Sequence, residues 1–193
     1  MVKTYSVKAH GSTKLSTNFT VREFACKDGS DKVLIDTDLV AILQRIREHF
    51  GKAITINSAY RNKAYNAKIG GATNSQHTYG TAADIVVQGV KPEDVAKYAE
   101  YLMPKSGGIG LYPTFTHVDV RVKRSRWKNN GKDVTVSGFA GYKPKETTLA
   151  EDCKLLASRG IINSPEYWAN GGGYSDTNTV QLIKKFAAYV RGD

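Results

Sequence analysis

A histidine and an aspartate that could bind a metal ion together, His77 and Asp84, lie seven positions apart in the sequence. Asp84 opens a β-branched run at residues 85–87, which predicts a buried strand, and an ionised carboxylate there is costly unless a cation or hydrogen-bond donors compensate it. Gly80, between the two, can adopt a positive φ and fold the chain back. Imidazole nitrogen and carboxylate oxygen are both zinc ligands, and a catalytic zinc takes three protein ligands. The pair therefore predicts two thirds of a metal site.

The third ligand is expected from residues 115–121, where apolar and polar residues alternate. This pattern predicts a strand with His117, Asp119 and Arg121 on one face. Residues two apart on one face have Cα atoms about 6.5 to 7 Å apart, so one can bind a metal while the other handles the water that the metal activates. We expect His117 to be the ligand and Asp119 the general base, with the reverse assignment open.

Each histidine alone has a plainer interpretation. His77 would be a surface loop residue, and His117 a hydrogen-bonded residue of a sheet. Asp84 and Asp119 stand in contexts that favour a shared metal site over two unrelated histidines.

Four ordered blocks of the chain resemble the zinc D-Ala-D-Ala carboxypeptidase and endolysin peptidase family, which has a hedgehog-like zinc peptidase fold. The blocks are residues 58–61, residues 70–77 with the start of a Ser-x-His-x6-Asp pattern, Asp84, and the strand histidine His117. The resemblance runs from about Asn18 to Trp127. It implies an α+β fold, a Zn²⁺ cofactor and hydrolysis of peptide bonds in bacterial cell wall.

The resemblance also suggests residues that contact substrate. It places Arg61 at the position of the family's active-site arginine, where a guanidinium can bind a carboxylate bidentately or steady an oxyanion. We predict substrate contacts at Tyr60 and Ser75 as well. Ser75 is a further candidate for a hydrogen bond that orients a metal ligand.

The sequence departs from the family at the general base. Family members carry an acid three residues before the last metal ligand, or a histidine two residues before it, but Thr114 and Phe115 stand there. Neither accepts a proton at neutral pH, which is why Asp119 is nominated. If Asp119 is the base, the Asp119→Asn variant should keep zinc and lose turnover. If the variant instead releases the metal, Asp119 is the ligand and His117 is the base.

Length and composition narrow the class of protein. The 193 residues suffice for one catalytic domain and a small appendage. The net charge of +10 suggests an anionic partner, and both nucleic acid and a polyanionic cell wall satisfy it. The two cysteines, Cys26 and Cys153, exclude a disulfide framework. No run of about 18 apolar residues predicts a membrane span, and no signal peptide follows Met1, so we expect a cytoplasmic chain at synthesis that acts on the wall after release.

The pattern of elements predicts an α+β fold, with a small, largely antiparallel sheet, flanking helices and a small helical C-terminal appendage. Helices are expected at about 37–50 and from Pro92 onward. The basic segment 121–128 is interpreted as a solvated exit from the domain, in preference to a grip on a polyanion. The predicted organisation is a zinc peptidase domain at 1–130, a linker at 131–147, and a helical module at 148–193, interrupted at Gly171–Gly173, for accessory, dimerisation or wall-targeting roles.

The function predicted from these features is a zinc-dependent peptidase of peptidoglycan stem peptides. It would act as a D,D-carboxypeptidase or as an L,D- or D,D-endopeptidase of the phage endolysin type. A non-catalytic zinc-containing module that binds cell wall is the alternative, and a nucleic-acid binder, favoured by charge alone, is a third reading. We expect peptidoglycan as the partner, no nucleic acid, no membrane, and a homodimer through the C-terminal helices.

Overall fold

The computed structural model of the chain describes residues 1–144, 147–170 and 177–191. It contains two compact units, Met1–Tyr142 and Lys143–Asp193. The predicted break at Gly171–Gly173 lies outside the described residues. The first unit continues beyond residue 130, the predicted end of the catalytic domain.

The strands of the described residues are β1 (Val2–Ser6), β2 (Lys32–Asp36), β3 (Ile54–Ser58), β4 (Ala82–Val87), β5 (Gly108–Leu111), β6 (Thr116–Asp119), β7 (Ser125–Asn129) and β8 (Asp133–Thr135). The α-helices are α1 (Val7–His10), α2 (Thr37–Phe50), α3 (Lys63–Lys68), α4 (Pro92–Leu102), α5 (Leu149–Ser158), α6 (Pro165–Ala169) and α7 (Thr177–Arg191). Short 3₁₀ helices span Val21–Phe24 and Gln76–Tyr79.

A six-stranded sheet in the order β3-β4-β6-β5-β7-β8 forms the centre of the first unit, and β1 and β2 make a separate antiparallel pair. Every neighbouring pair in the larger sheet is antiparallel except β5 and β7, which run parallel. The predicted α+β class is therefore confirmed, with a mixed rather than a purely antiparallel main sheet.

Helix α2 shows how local sequence builds this core. The Asp36 side chain accepts a hydrogen bond from the backbone N–H of Asp38 and caps the helix, and Gly51 ends it in the left-handed conformation. Leu39, Leu43 and Ile46 recur at helical spacing and are completely buried. The helix predicted at 37–50 is confirmed at both ends.

Strand β4 lies between β3 and β6, so the positions of its residues are fixed from both sides. Asp84 pairs with His117 across the β4–β6 ladder and with Ser58 across the β3–β4 ladder. The pairing brings residues that are far apart in sequence into one place on the sheet. The buried strand predicted after Asp84 is present, although Asp84 lies inside it rather than at its start.

The second half of the basic segment interpreted as a solvated exit, residues 125–128, is instead part of the sheet, whereas Val122 and Lys123 are exposed. Strand β7 lies between β5 and β8, and the Arg126 side chain is 0% exposed. Its Nε donates to Glu100 Oε2 at 2.6 Å, and Arg124 Nη2 donates to Glu100 Oε1 at 2.9 Å. Burial alone would raise the pKa of Glu100, but the hydrogen bonds from Arg126 and Arg124 lower it below its ordinary value.

We expect Glu100→Gln to destabilise the first unit by about 3 kcal/mol, because it leaves the buried Arg126 charge without its partner. Since the pKa of Glu100 is lowered in the folded state, its contribution is present at neutral pH and is lost as the pH falls below about 4. Chemical denaturation at pH 7 and pH 3.5 measures both effects.

Glu93→Gln is the matched control for this prediction. Glu93 is an exposed partner of Lys97 at 3.3 Å on α4, and its loss should change stability by about 0.5 kcal/mol or less. Equal effects of the two substitutions would contradict a buried ion pair at Glu100.

The second unit is a small helical module in which α5 contacts both α6 and α7. Thr148 and Glu151 form a capping box at the start of α5. The buried Asp152 accepts hydrogen bonds from Thr147 and Arg191. Nothing in the described residues supports the predicted homodimer through these helices.

Two further expectations concern the cysteines and membrane-spanning segments. Both cysteines are buried free thiols. Within the described ranges, no helix combines the length and the apolar character needed to cross a bilayer.

Candidate metal centre

Three side chains from different elements converge in the first unit. His77 comes from the 3₁₀ helix Gln76–Tyr79, Asp84 from β4 and His117 from β6. All three are buried, and one potential ligand atom from each lies within 4.8 Å of the others. Asp84 Oδ1 is 3.4 Å from His77 Nε2 and 2.8 Å from His117 Nδ1. The structure therefore brings together the three side chains that the sequence nominated as ligands.

The backbone around His77 fixes which ring nitrogen faces the centre. His77 Nδ1 is 2.7 Å from the carbonyl oxygen of Ala59, which can only accept, so Nδ1 carries the hydrogen. Nε2 is then left with a lone pair toward Asp84. Gly80 ends the 3₁₀ helix at φ 74°, as predicted, and a side chain there would also collide with the carbonyl group of Leu34.

His117 is oriented by carboxylates on both sides. Its Nδ1 is 2.8 Å from Asp84 Oδ1, and its Nε2 is 3.0 Å from Asp119 Oδ2. Burial alone would lower the pKa of His117, but the hydrogen bonds to Asp119 and Asp84 raise it to about 9. Without a metal, the imidazole is therefore a cation between two anions. When Nδ1 binds a metal, Asp119 keeps the remaining hydrogen on Nε2.

Asp84 is held by an arginine on its other oxygen. Arg61 Nη2 donates to Asp84 Oδ2 at 2.7 Å, and Arg61 Nε donates to Ser58 Oγ at 2.8 Å. Burial would raise the pKa of Asp84, but above all the hydrogen bond from His117 keeps it well below its usual range. Asp84 is thus an anion that presents Oδ1 to both imidazoles.

The donor set fits a divalent metal ion. The lone pair of His77 Nε2 and the anionic Oδ1 of Asp84 face each other in a buried place, an arrangement that a cation relieves. Each imidazole has its other nitrogen engaged by an oxygen, which is the usual support of metal-binding histidines. Two imidazoles and one carboxylate also match the protein ligands of a catalytic zinc site with one open position.

Asp119 does not stand where a general base must stand. Its side chain is 0% exposed, and it lies on the Nε2 side of His117, away from Asp84. Its oxygens also accept hydrogen bonds from the Gly108 N–H, the Arg121 N–H and the Arg121 guanidinium. The geometry therefore argues against the predicted base and gives Asp119 the role of orienting His117.

A cleft of about 700 Å³ opens over the centre. Its lining includes the three candidate ligands, Arg61 and Ser75. It does not include Tyr60, which packs in the core with 8% exposure and so cannot offer its ring to a substrate. Ser75 therefore lies in the cleft wall and Tyr60 does not, and the substrate contact at Ser75 stays a prediction.

The β7–β8 hairpin contributes wall residues that the sequence did not reveal, among them Trp127 and Asp133. The Trp127 ring lies 5.1 Å from the His117 ring and directly over Gly110, where a side chain would collide with it. Asp133 and Asp84 are the carboxylates that line the cleft within the described part of the chain. The Asn130-Gly131 dipeptide after an alternating run predicts a β-hairpin turn. This prediction would have identified the two strands that form this wall of the cleft.

The sequence of the chain is similar to those of known peptidases. A family model described as Peptidase M15 matches residues 17–119, more than half of the chain and all three candidate ligands. The zinc D-Ala-D-Ala carboxypeptidase of Streptomyces albus G is 48% identical over 44 residues. That match covers 22% of this chain and 17% of the relative, so the chain aligns with only a small part of the relative's length.

Proposed function

The chain belongs to the peptidase M15 family, and from that premise we propose that it is a zinc-dependent peptidase that hydrolyses stem peptides of bacterial peptidoglycan. The observation that carries the proposal is the convergence of His77, Asp84 and His117 beneath an open cleft. The name of the Streptomyces albus G relative supports both the metal and the substrate class. A non-catalytic wall-binding module is not favoured, because the matching family and the relative are both peptidases.

In this proposal the ligand atoms are His77 Nε2, Asp84 Oδ1 and His117 Nδ1. When bound, zinc supplies a Lewis acid that polarises a carbonyl group and acidifies water to a pKa of about 7. Removal of a proton from such a water therefore needs no strongly basic side chain at neutral pH, and Asp119 need not act as a base. Asp133 is the other carboxylate that lines the cleft among the described residues.

Arg61 has two tasks in the proposed reaction. Its Nε and Nη2 hold Ser58 and Asp84, so that the ligand carboxylate keeps its orientation. Its side chain also lines the cleft, where the remaining N–H groups can bind a substrate carboxylate or the developing oxyanion. Both tasks use the fixed planar fork of the guanidinium.

Digestion of purified peptidoglycan tests the proposal. We expect the zinc-loaded protein to release new amino and carboxyl termini, chelator-treated protein to release none, and added zinc to restore the release. Mass spectrometry of the muropeptides then identifies the bond, which distinguishes a carboxypeptidase from an endopeptidase of the endolysin type. Release that survives complete removal of the metal would contradict the proposal.

A further inference from the structure

A row of five side chains in direct polar contact runs through the metal centre. Arg61 contacts Asp84 at 2.7 Å, Asp84 contacts His117 at 2.8 Å, His117 contacts Asp119 at 3.0 Å, and Asp119 contacts Arg121 at 2.5 Å. A guanidinium therefore stands at each end of the row. Both arginines line the same cleft, on opposite flanks of the candidate ligands.

Arg121 uses only one edge of its guanidinium to hold the protein together. Nε and Nη2 donate to the buried carboxylate of Asp119. Among the residues that the structure describes, Nη1 has no hydrogen-bond partner, and the Arg121 side chain is 31% exposed. A guanidinium carries five N–H donors, so several remain for a ligand in the cleft.

Trp127 restrains this guanidinium further. The Arg121 Cζ lies 5.8 Å from the centre of the indole ring, within the range of a cation–π contact. The ring is itself held by the hydrogen bond from its Nε1 to Tyr112 Oη at 3.2 Å and by the close approach of Gly110. Arg121 is thus fixed before any ligand binds, which reduces the entropy lost on binding.

Arg61 repeats this arrangement at the other end of the row. Its Nε and Nη2 are bound to Ser58 and Asp84, and in the described part of the chain its Nη1 has no partner. A guanidinium that served only to neutralise Asp119 would need no place in the cleft wall. The likeness between the two arginines indicates that each presents its outer edge to the substrate.

We propose that Arg121 is a second anion-binding residue, which takes a substrate carboxylate different from the group bound by Arg61. The inference rests on the proposed function, because peptidoglycan stem peptides carry several carboxylates along one short chain. Arginine is suited to them through charge-assisted, bidentate hydrogen bonds. Arg121 also lies beyond residue 119, where the match to the family model ends.

Synthetic stem peptides in which one carboxyl group at a time is amidated test this assignment. We expect amidation of one particular carboxyl group to lower kcat/KM of the wild type about tenfold, the loss of one charge-assisted hydrogen-bond pair. In the Arg121→Gln variant, amidation of that carboxyl group should no longer lower kcat/KM. In the Arg61→Gln variant, amidation of a different carboxyl group should no longer lower it. Lys123→Gln, which removes an exposed charge two residues away, should keep both losses of kcat/KM.

A purely structural role for Arg121 gives another pattern. Arg121→Gln would then lower kcat/KM by the same factor for every peptide, and this result would overturn the inference. If the zinc-loaded wild type cleaves none of the peptides, the proposed function fails instead. In that case, calorimetric dissociation constants of the same peptides with metal-free protein still test the role of Arg121. Each amidation that lowers kcat/KM is expected to weaken binding in the same variants.

Discussion

The His117→Ala variant is expected to lose both zinc and peptidase activity. His117 supplies one of the three candidate ligands found among the described residues, and its removal leaves the metal with two of them. The affinity for zinc should fall more than about 100-fold, beyond the loss caused by removing an outer-shell partner. Zinc content after dialysis and calorimetric titration measure this directly.

His10→Ala is the matched control for that experiment. His10 is an exposed histidine at the end of α1, and its replacement should leave one zinc per chain and full activity. Circular dichroism of both variants separates loss of the metal from loss of the fold. A His117→Ala protein that is folded and binds zinc with wild-type affinity would contradict the proposed ligand set.

The Asp119→Asn variant is expected to bind zinc about 10 to 100 times more weakly while it keeps turnover once zinc saturates it. Asp119 keeps the hydrogen of His117 on Nε2, which leaves Nδ1 free for the metal. An asparagine accepts that hydrogen less strongly, and its amide NH₂ can instead donate to Nε2 and favour the tautomer with Nδ1 blocked. The variant therefore weakens the metal site directly and can affect the substrate only through its hydrogen bonds to Arg121.

A general base at Asp119 predicts the opposite result. Zinc affinity would stay unchanged, and kcat at saturating zinc would fall about 10² to 10⁴-fold. Asp94→Asn, an exposed aspartate on α4, serves as the control and should alter neither quantity. Zinc titrations combined with kcat at saturating zinc separate the two roles.

Local patterns predicted the parts of the fold that local interactions decide. The helical spacing of Leu39, Leu43 and Ile46 between a capping aspartate and Gly51 was sufficient to define α2. The turn at Gly80 and the alternation around His117 were likewise sufficient to bring out the candidate ligands. In each case residues within one or two turns of chain determine the conformation.

The burial of Tyr60 follows a change of strand register that its own stretch of sequence does not reveal. The pairing of β3 with β4 shifts register between Ile56 and Ser58, so the phase of alternation changes before the chain reaches Tyr60 and Arg61. Arg61 reaches Asp84, while Tyr60 packs into the core. A bulge depends on the partner strand, and the sequence of β3 alone carries no sign of it.

The role of Asp119 depends on contacts that are distant in sequence. Its burial requires β5 and the backbone N–H of Gly108 as well as the rotamer of His117. The alternation correctly placed Asp119 on the same face as His117, but it could not show which nitrogen of the ring would face it. The parallel pairing of β5 with β7, which places Trp127 on the wall, is nonlocal for the same reason.

The proposed ligand set can be tested by an anomalous difference map recorded at the zinc edge on crystals of the zinc-loaded protein. We expect one peak bound by His77 Nε2 and His117 Nδ1 at about 2.0 to 2.1 Å and by Asp84 at about 2.0 to 2.2 Å, with Asp119 still on His117 Nε2. A peak bound through His117 Nε2 and Asp119, or one that lies away from these three side chains, would contradict it.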